Sequence, residues 1–118
     1  MQMNMYVITR GDSYESLERV MDAYSVLDGN PFGKWERWSR GPADIVLTNG
    51  QAVNTARLSD VDFTSTDVPD AFVTHSGVWY DADTEGSVAL MNKWLMYVVT
   101  QNEKGLFIHS VTYSVTFE

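Results

Sequence analysis

Cysteine is absent from this 118-residue chain, so neither a disulfide nor a thiolate zinc site can hold it together. Stability has to come from packing and backbone pairing. Basic residues are scarce: eight Lys and Arg stand against sixteen Asp and Glu, a net charge of -8. The imbalance sits in the second half, where residues 60–118 carry two basic and nine acidic groups against six and seven in residues 1–59. Affinity for nucleic acid is supplied mainly by cations that neutralise phosphates, so a nucleic-acid partner is not expected. No stretch approaches the roughly 18 apolar residues of a membrane-spanning helix, and no membrane partner is expected. The opening Met1-Gln2-Met3-Asn4-Met5 has neither a basic n-region nor an apolar h-region, so no secretory signal is expected.

The usual chemical signatures are equally thin. Glycine-rich phosphate loops of either standard spacing are missing. Only two histidines occur, His75 and His109, and their spacing matches no metal motif. As a base, His75 would need Ser76 or Thr74 as nucleophile, but neighbouring strand residues point to opposite faces. A structural His75, hydrogen-bonded within a sheet, is the favoured reading. Asp81-Ala82-Asp83-Thr84-Glu85-Gly86 places carboxylates at alternate positions before a glycine, like the first half of a calcium loop. Its twelfth position would be Asn92 and not a bidentate Glu, which favours a solvated hairpin turn. No cofactor, metal or catalytic residue is therefore assigned, and the chain is not expected to be an enzyme.

What is present is patterned hydrophobicity, 44% of residues, in a length typical of one domain spanning 1–118. Residues 3–9 are rich in β-branched and aromatic types and read as a first strand. Residues 12–28 read as the one helix: Asp12 and Glu15 form a capping box, Leu17, Val20, Met21, Tyr24 and Leu27 recur at helical spacing, and Gly29 and Pro31 stop it. Residues 30–42 combine Pro and Gly breakers with Phe32, Trp35 and Trp38 and read as an ordered aromatic loop.

From residue 44 to 118 the pattern is of short strands. Ile45 to Leu47 leads to an Asn49-Gly50 turn signal, and Leu58, Val61 and Phe63 follow as isolated apolar points. Ala71 to Tyr80 is extended with both faces at least partly covered. Ser87 to Met91 and Leu95 to Thr100 read as two further strands, and Gln101 to Gly105 as a turn. In the last strand Val111, Tyr113, Val115 and Phe117 alternate with Ser110, Thr112, Ser114 and Thr116. Seven or eight short strands predict a mainly β fold, an antiparallel β-sandwich or jelly roll with one N-terminal helix.

The aromatic loop is the candidate binding surface, because Trp and Arg are enriched at interface hot spots. Phe32, Lys34, Arg37, Trp38 and Arg40 are its candidate partner-binding residues, with Trp35 assigned to the core. The competing reading has both tryptophans capping the core. Stacking of single-stranded nucleic acid on the pair is disfavoured by the charge.

The run Val73-Thr74-His75-Ser76-Gly77-Val78-Trp79-Tyr80-Asp81-Ala82, with Gly86 and Leu90 after it, resembles a signature of small β-sandwich virion proteins of tailed bacteriophages. Gly50 to Thr55, Val61-Asp62-Phe63 and the closing Val111 to Phe117 strand are similar to the same family, so the resemblance covers residues 45–118. This chain has one glycine where the family usually has two, and Gln101 to Gly105 stands in place of a Gly-Asp turn. The resemblance implies a non-enzymatic structural protein of the virion, made in the host cytoplasm. It favours a capsid decoration or cement protein bound to the assembled head, with the major capsid protein as first partner and homo-oligomers, such as trimers, about a symmetry axis. A tail, collar or fibre-attachment component is the alternative. From another class, a carbohydrate- or calcium-binding jelly-roll module would use an exposed Trp79 or Trp38 and the Asp81 to Gly86 turn.

Overall fold

The computed structural model describes residues 2–26, 30–31, 33–101 and 105–114. It is mostly β, built on a mixed six-stranded sheet with a second, two-stranded sheet and three α-helices. The strands are β1 (Gln2–Thr9), β2 (Arg37–Arg40), β3 (Ile45–Val46), β4 (Ala52–Val53), β5 (Thr55–Arg57), β6 (Ala71–Val73), β7 (Trp79–Asp81) and β8 (Phe107–Ser114). The helices are α1 (Tyr14–Asp22), α2 (Ala82–Glu85) and α3 (Ser87–Thr100). In the main sheet the order is β2-β8-β1-β6-β7, with β5 also on β8. β1 runs antiparallel to β8 from Gln2↔Ser114 to Thr9↔Phe107 but parallel to β6 at Tyr6↔Phe72, so the sheet is not purely antiparallel.

The centre of this sheet is covered on both faces, and β1 shows why. Met5, Tyr6, Val7 and Ile8 are all buried, the continuous apolar run expected where neither face of a strand is wet. Met5 and Val7 point to one face and pack with Leu17 and Met21 of α1, Trp35, Ala71, Val73, Val111 and Tyr113. Tyr6 and Ile8 point to the other and pack with Leu90, Trp94 and Val98 of α3, Ile45, Phe72 and Ile108. The alternation of β8 follows the same division: Val111 and Tyr113 face α1, and Ile108 faces α3. Ser110, one of the polar residues alternating with the apolar ones in this strand, is nonetheless fully buried, while Val115 and Phe117 lie outside the described residues.

Several sequence expectations change. The segment read as two strands, Ser87 to Met91 and Leu95 to Thr100, is the single helix α3. Its buried residues Leu90, Trp94 and Val98 recur every four positions, a helical period hidden by apolar residues on its other side. The helix expected over 12–28 is shorter, Tyr14–Asp22, and is capped by Ser13, whose Oγ accepts the Ser16 N–H at 3.2 Å. Beyond Asp22 the chain turns to pair Ser25 with Trp35, and the Asn30 amide donates to the carbonyls of Ala23 and Ser25. Leu27 and Gly29 of the expected helix and its stop lie outside the described residues. The aromatic loop of 30–42 ends in a strand, since Arg37–Arg40 pairs with β8 at Trp38↔Tyr113.

The Asn49-Gly50 signal does mark a hairpin, β3 to β4, in register Ile45↔Val53. Leu58 to Phe63 is not a strand: a 3-10 turn covers Leu58–Asp60, and a lone bridge joins Val61 to Leu47. The expected hairpin turn at Asp81 to Gly86 is instead a helical turn, α2, that feeds α3 through Gly86. There φ is +85°, a conformation that glycine adopts at least cost. Where β2 leaves β8, Gly41 lies against the Ser110 backbone, so close that a Cβ would meet its Oγ at 2.4 Å and its carbonyl carbon at 2.9 Å.

Candidate interaction surface

α3 is apolar on both sides, and among the described residues only one side is packed against the fold. Leu90, Trp94 and Val98 are buried against the sheet, where Trp94 contacts Tyr6 and Phe72 at ring-centroid distances of 5.6 and 5.2 Å. On the opposite arc Val88, Met91, Leu95, Met96 and Val99 are exposed, Val99 at 80%, Val88 at 69% and Met96 at 66%. Val88, Met91, Leu95 and Val99 are three, four and four residues apart, so they form one stripe along the helix. Scattered surface valines are ordinary, but a contiguous apolar stripe of this kind marks an interaction site.

The only charge within α3 is Lys93, and it is held aside. Its Nζ lies 2.8 Å from the Glu85 carboxylate and 4.8 Å from the centre of the Tyr80 ring. Beside it, between α3 and β7, runs a cleft of about 420 Å3 lined by Phe72, Thr74, Tyr80, Asn92, Met96 and Tyr97 among others. Met96 lines the cleft and stands about one helical turn from Val99 of the stripe, so the two form a continuous, largely apolar surface. Such a surface takes apolar side chains from a partner and excludes charged ones, whose desolvation it could not offset.

The candidate residues near β2 are placed differently. Trp38 stacks on Tyr14 with centroids 5.6 Å apart and packs against the core on the α1 side, and Trp35 is buried with its Nε1 donating to the Met21 carbonyl at 2.7 Å. Arg40 bonds to the Thr55 hydroxyl and its guanidinium lies 5.7 Å from the Tyr14 ring centre. Lys34 is 3.7 Å from the Asp81 carboxylate. Trp38, Arg40 and Lys34 thus have partners within the fold, while Arg37 is exposed and Phe32 lies outside the described residues. Sequence reasoning weighed this aromatic-basic cluster and missed α3, whose exposed stripe would have been visible only once the segment was read with a helical period.

The remaining candidates are also accounted for. Asp81 caps α2, accepting the Thr84 N–H at 2.8 Å, and accepts the Trp79 Nε1–H at 3.0 Å. Burial pushes its carboxyl upward, but the Thr84 hydrogen bonds, Lys34 and Trp79 outweigh that and hold it below the ordinary value. Among the described residues no group of three or more His, Asp or Glu is placed to hold a metal ion. Trp79, expected as an exposed platform, is half-buried between Tyr24 and Tyr113, at 5.0 and 5.3 Å. His75 lies in the turn after β6, where its backbone N–H donates to the Tyr97 hydroxyl of α3 at 3.0 Å. Among the described residues, no helix is long and apolar enough to cross a membrane. Comparison with family models, curated protein sequences and solved structures finds no match, so no relative lends this chain a site or an activity.

Proposed function

We propose that this chain is a non-enzymatic structural protein that works by docking on neighbouring protein subunits of an assembly, with the outer face of α3 as its docking surface. The observation that carries the reading is the apolar stripe Val88, Met91, Leu95 and Val99 on an otherwise acidic molecule. Fully burying one such side chain is worth about 1.5–3 kcal/mol, so leaving the stripe in water forgoes a large gain that a partner can supply.

In keeping with the resemblance of residues 45–118, the assembly is a tailed-phage virion, and the role is a decoration or cement protein on the assembled head. A small domain that binds the assembled shell but not its separate subunits stabilises the shell by mass action. A sandwich or jelly-roll ancestry belongs to the same proposal. Its test is copy number in purified particles, by quantitative mass spectrometry and image reconstruction. Hundreds of copies spread over the head are expected. Six or fewer at one vertex would move the protein to the tail or collar, and none at all would overturn the virion reading.

A further inference from the structure

We propose that the exposed stripe of α3 seats the same helix of a second copy, the two helices lying antiparallel about a twofold axis. This deepens the docking role proposed above and rests on it.

Charge makes the first case. A molecule of net charge -8 repels its own copies, and like charges brought together at an interface cost several kcal/mol. Among the described elements α3 is the longest without a carboxylate, so two copies can meet there without opposing acids. Its one cation is already neutralised by Glu85 and drawn over Tyr80, off the stripe, so pairing buries no unpaired charge.

Self-complementarity makes the second. A twofold interface needs a patch that matches itself when inverted. Running α3 against its inverse sets Val88 opposite Val99 of the second copy at each end, with Leu95 facing Asn92 of the second copy near the axis. The end contacts are then aliphatic against aliphatic, Asn92 is the polar side chain brought in near the axis, and the two helix dipoles oppose favourably. A parallel arrangement would bring the acidic α2 turns, with Asp83 and Glu85, together at one end.

Area makes the third. From their fractional exposures the stripe and Met96 present on the order of 500 Å2 on each copy, so a pair buries at most ~1,000 Å2, the lower bound for a specific interface. A micromolar rather than a permanent dimer is the expected outcome.

The test is sedimentation equilibrium of the full chain from micromolar to sub-millimolar concentration, with a Val88→Lys/Val99→Lys variant alongside. Both positions are highly exposed, and unchanged tryptophan fluorescence checks that the variant is folded. Wild-type dimers, weakened more than about tenfold in the variant, are expected. Because the chain has no cysteine, Val88→Cys and Val99→Cys variants report register: mixed, they should form a disulfide-linked heterodimer, and neither alone should cross-link.

A wild-type monomer throughout, a dimer indifferent to the lysines, or cross-linking of Val88→Cys to itself would each overturn the antiparallel pair. A chain that is monomeric in solution, yet lost from particles in the lysine variant, would sink the pairing and leave the docking role standing. A dimer of the expected register that is absent from particles would do the reverse.

Discussion

The Tyr97 hydroxyl, carried by α3, lies 2.9 Å from the Nδ1 of His75 and accepts the backbone N–H of the same residue at 3.0 Å. One phenol thereby ties the helix that presents the apolar stripe to the turn leaving β6. Tyr97 also packs its ring near Phe72 and Trp94, at 5.8 and 6.5 Å, so the hydrogen bonds and the packing act at one place.

Replacing Tyr97 with Phe keeps the ring and removes the acceptor. The His75 N–H is then left without that partner, which costs about 1–2 kcal/mol in urea unfolding. Hydrogen exchange at the His75 amide should accelerate in the same variant. An unchanged exchange rate would show that the phenol does not hold the turn.

Gly41→Ala should destabilise by about 1–3 kcal/mol, because the new Cβ would fall 2.9 Å from the Ser110 backbone and force β2 away from β8. Gly41→Ala with Ser110→Gly relieves only the side-chain part of the clash, so it should recover part of the loss. Full recovery in denaturant melts would show that the backbone contact is not limiting.

His109 supplies the pH dependence. It is fully buried, its Nε2 lies 2.7 Å from the Thr9 hydroxyl and 3.2 Å from the Gly11 carbonyl, and its Nδ1 has no hydrogen-bond partner among the described residues. Burial lowers its pKa; the Gly11 carbonyl and Asp12 act upward and Arg40 downward, and the balance is about 4. In the unfolded chain the value is near 6.5, so between those limits the unfolded state binds the extra proton. Stability is therefore present in full above about pH 6.5 and falls as pH drops toward 4, by about 3 kcal/mol in total. The lowered Asp81 adds a loss only at lower pH still, as its carboxylate is protonated. The His109 ring resonances, followed by NMR, should titrate near pH 4; a midpoint above 6 would contradict this account.

Trp38 and Arg37 should separate fold from binding. Trp38→Ala removes a ring stacked on Tyr14 and packed on the core, for a stability loss of about 2 kcal/mol. Arg37→Ala, at an exposed position, should change stability by less than about 0.5 kcal/mol. If Arg37→Ala releases the protein from its partner while the α3 lysine variant does not, the docking surface is the β2 edge.

How far the residues alone could be read depends on what each signal measures. The Asn49-Gly50 hairpin, the strand at the N-terminus and the burial of Trp35 rest on local turn chemistry and composition, whereas the extended run expected over Ala71 to Tyr80 is a hairpin of β6 and β7 whose turn leaves Val78 exposed. The parallel pairing of β1 with β6 joins residues 66 positions apart in the chain, such as Tyr6 and Phe72, and no local pattern encodes it.

Residues 3–9 read as a strand, but only the structure shows that Met5 to Ile8 are covered on both faces, by α1 on one side and α3 on the other. α3 is where tertiary structure decided most. Its β-branched and aromatic residues suit a strand, yet Leu90, Trp94 and Val98 gain more by laying a helix on Tyr6, Phe72 and Ile108. The sequence by itself determined a cysteine-free, acidic chain rich in strands. Packing across the sheet turned its most apolar segment into a helix, and with one side spent on the core, left the other facing outward.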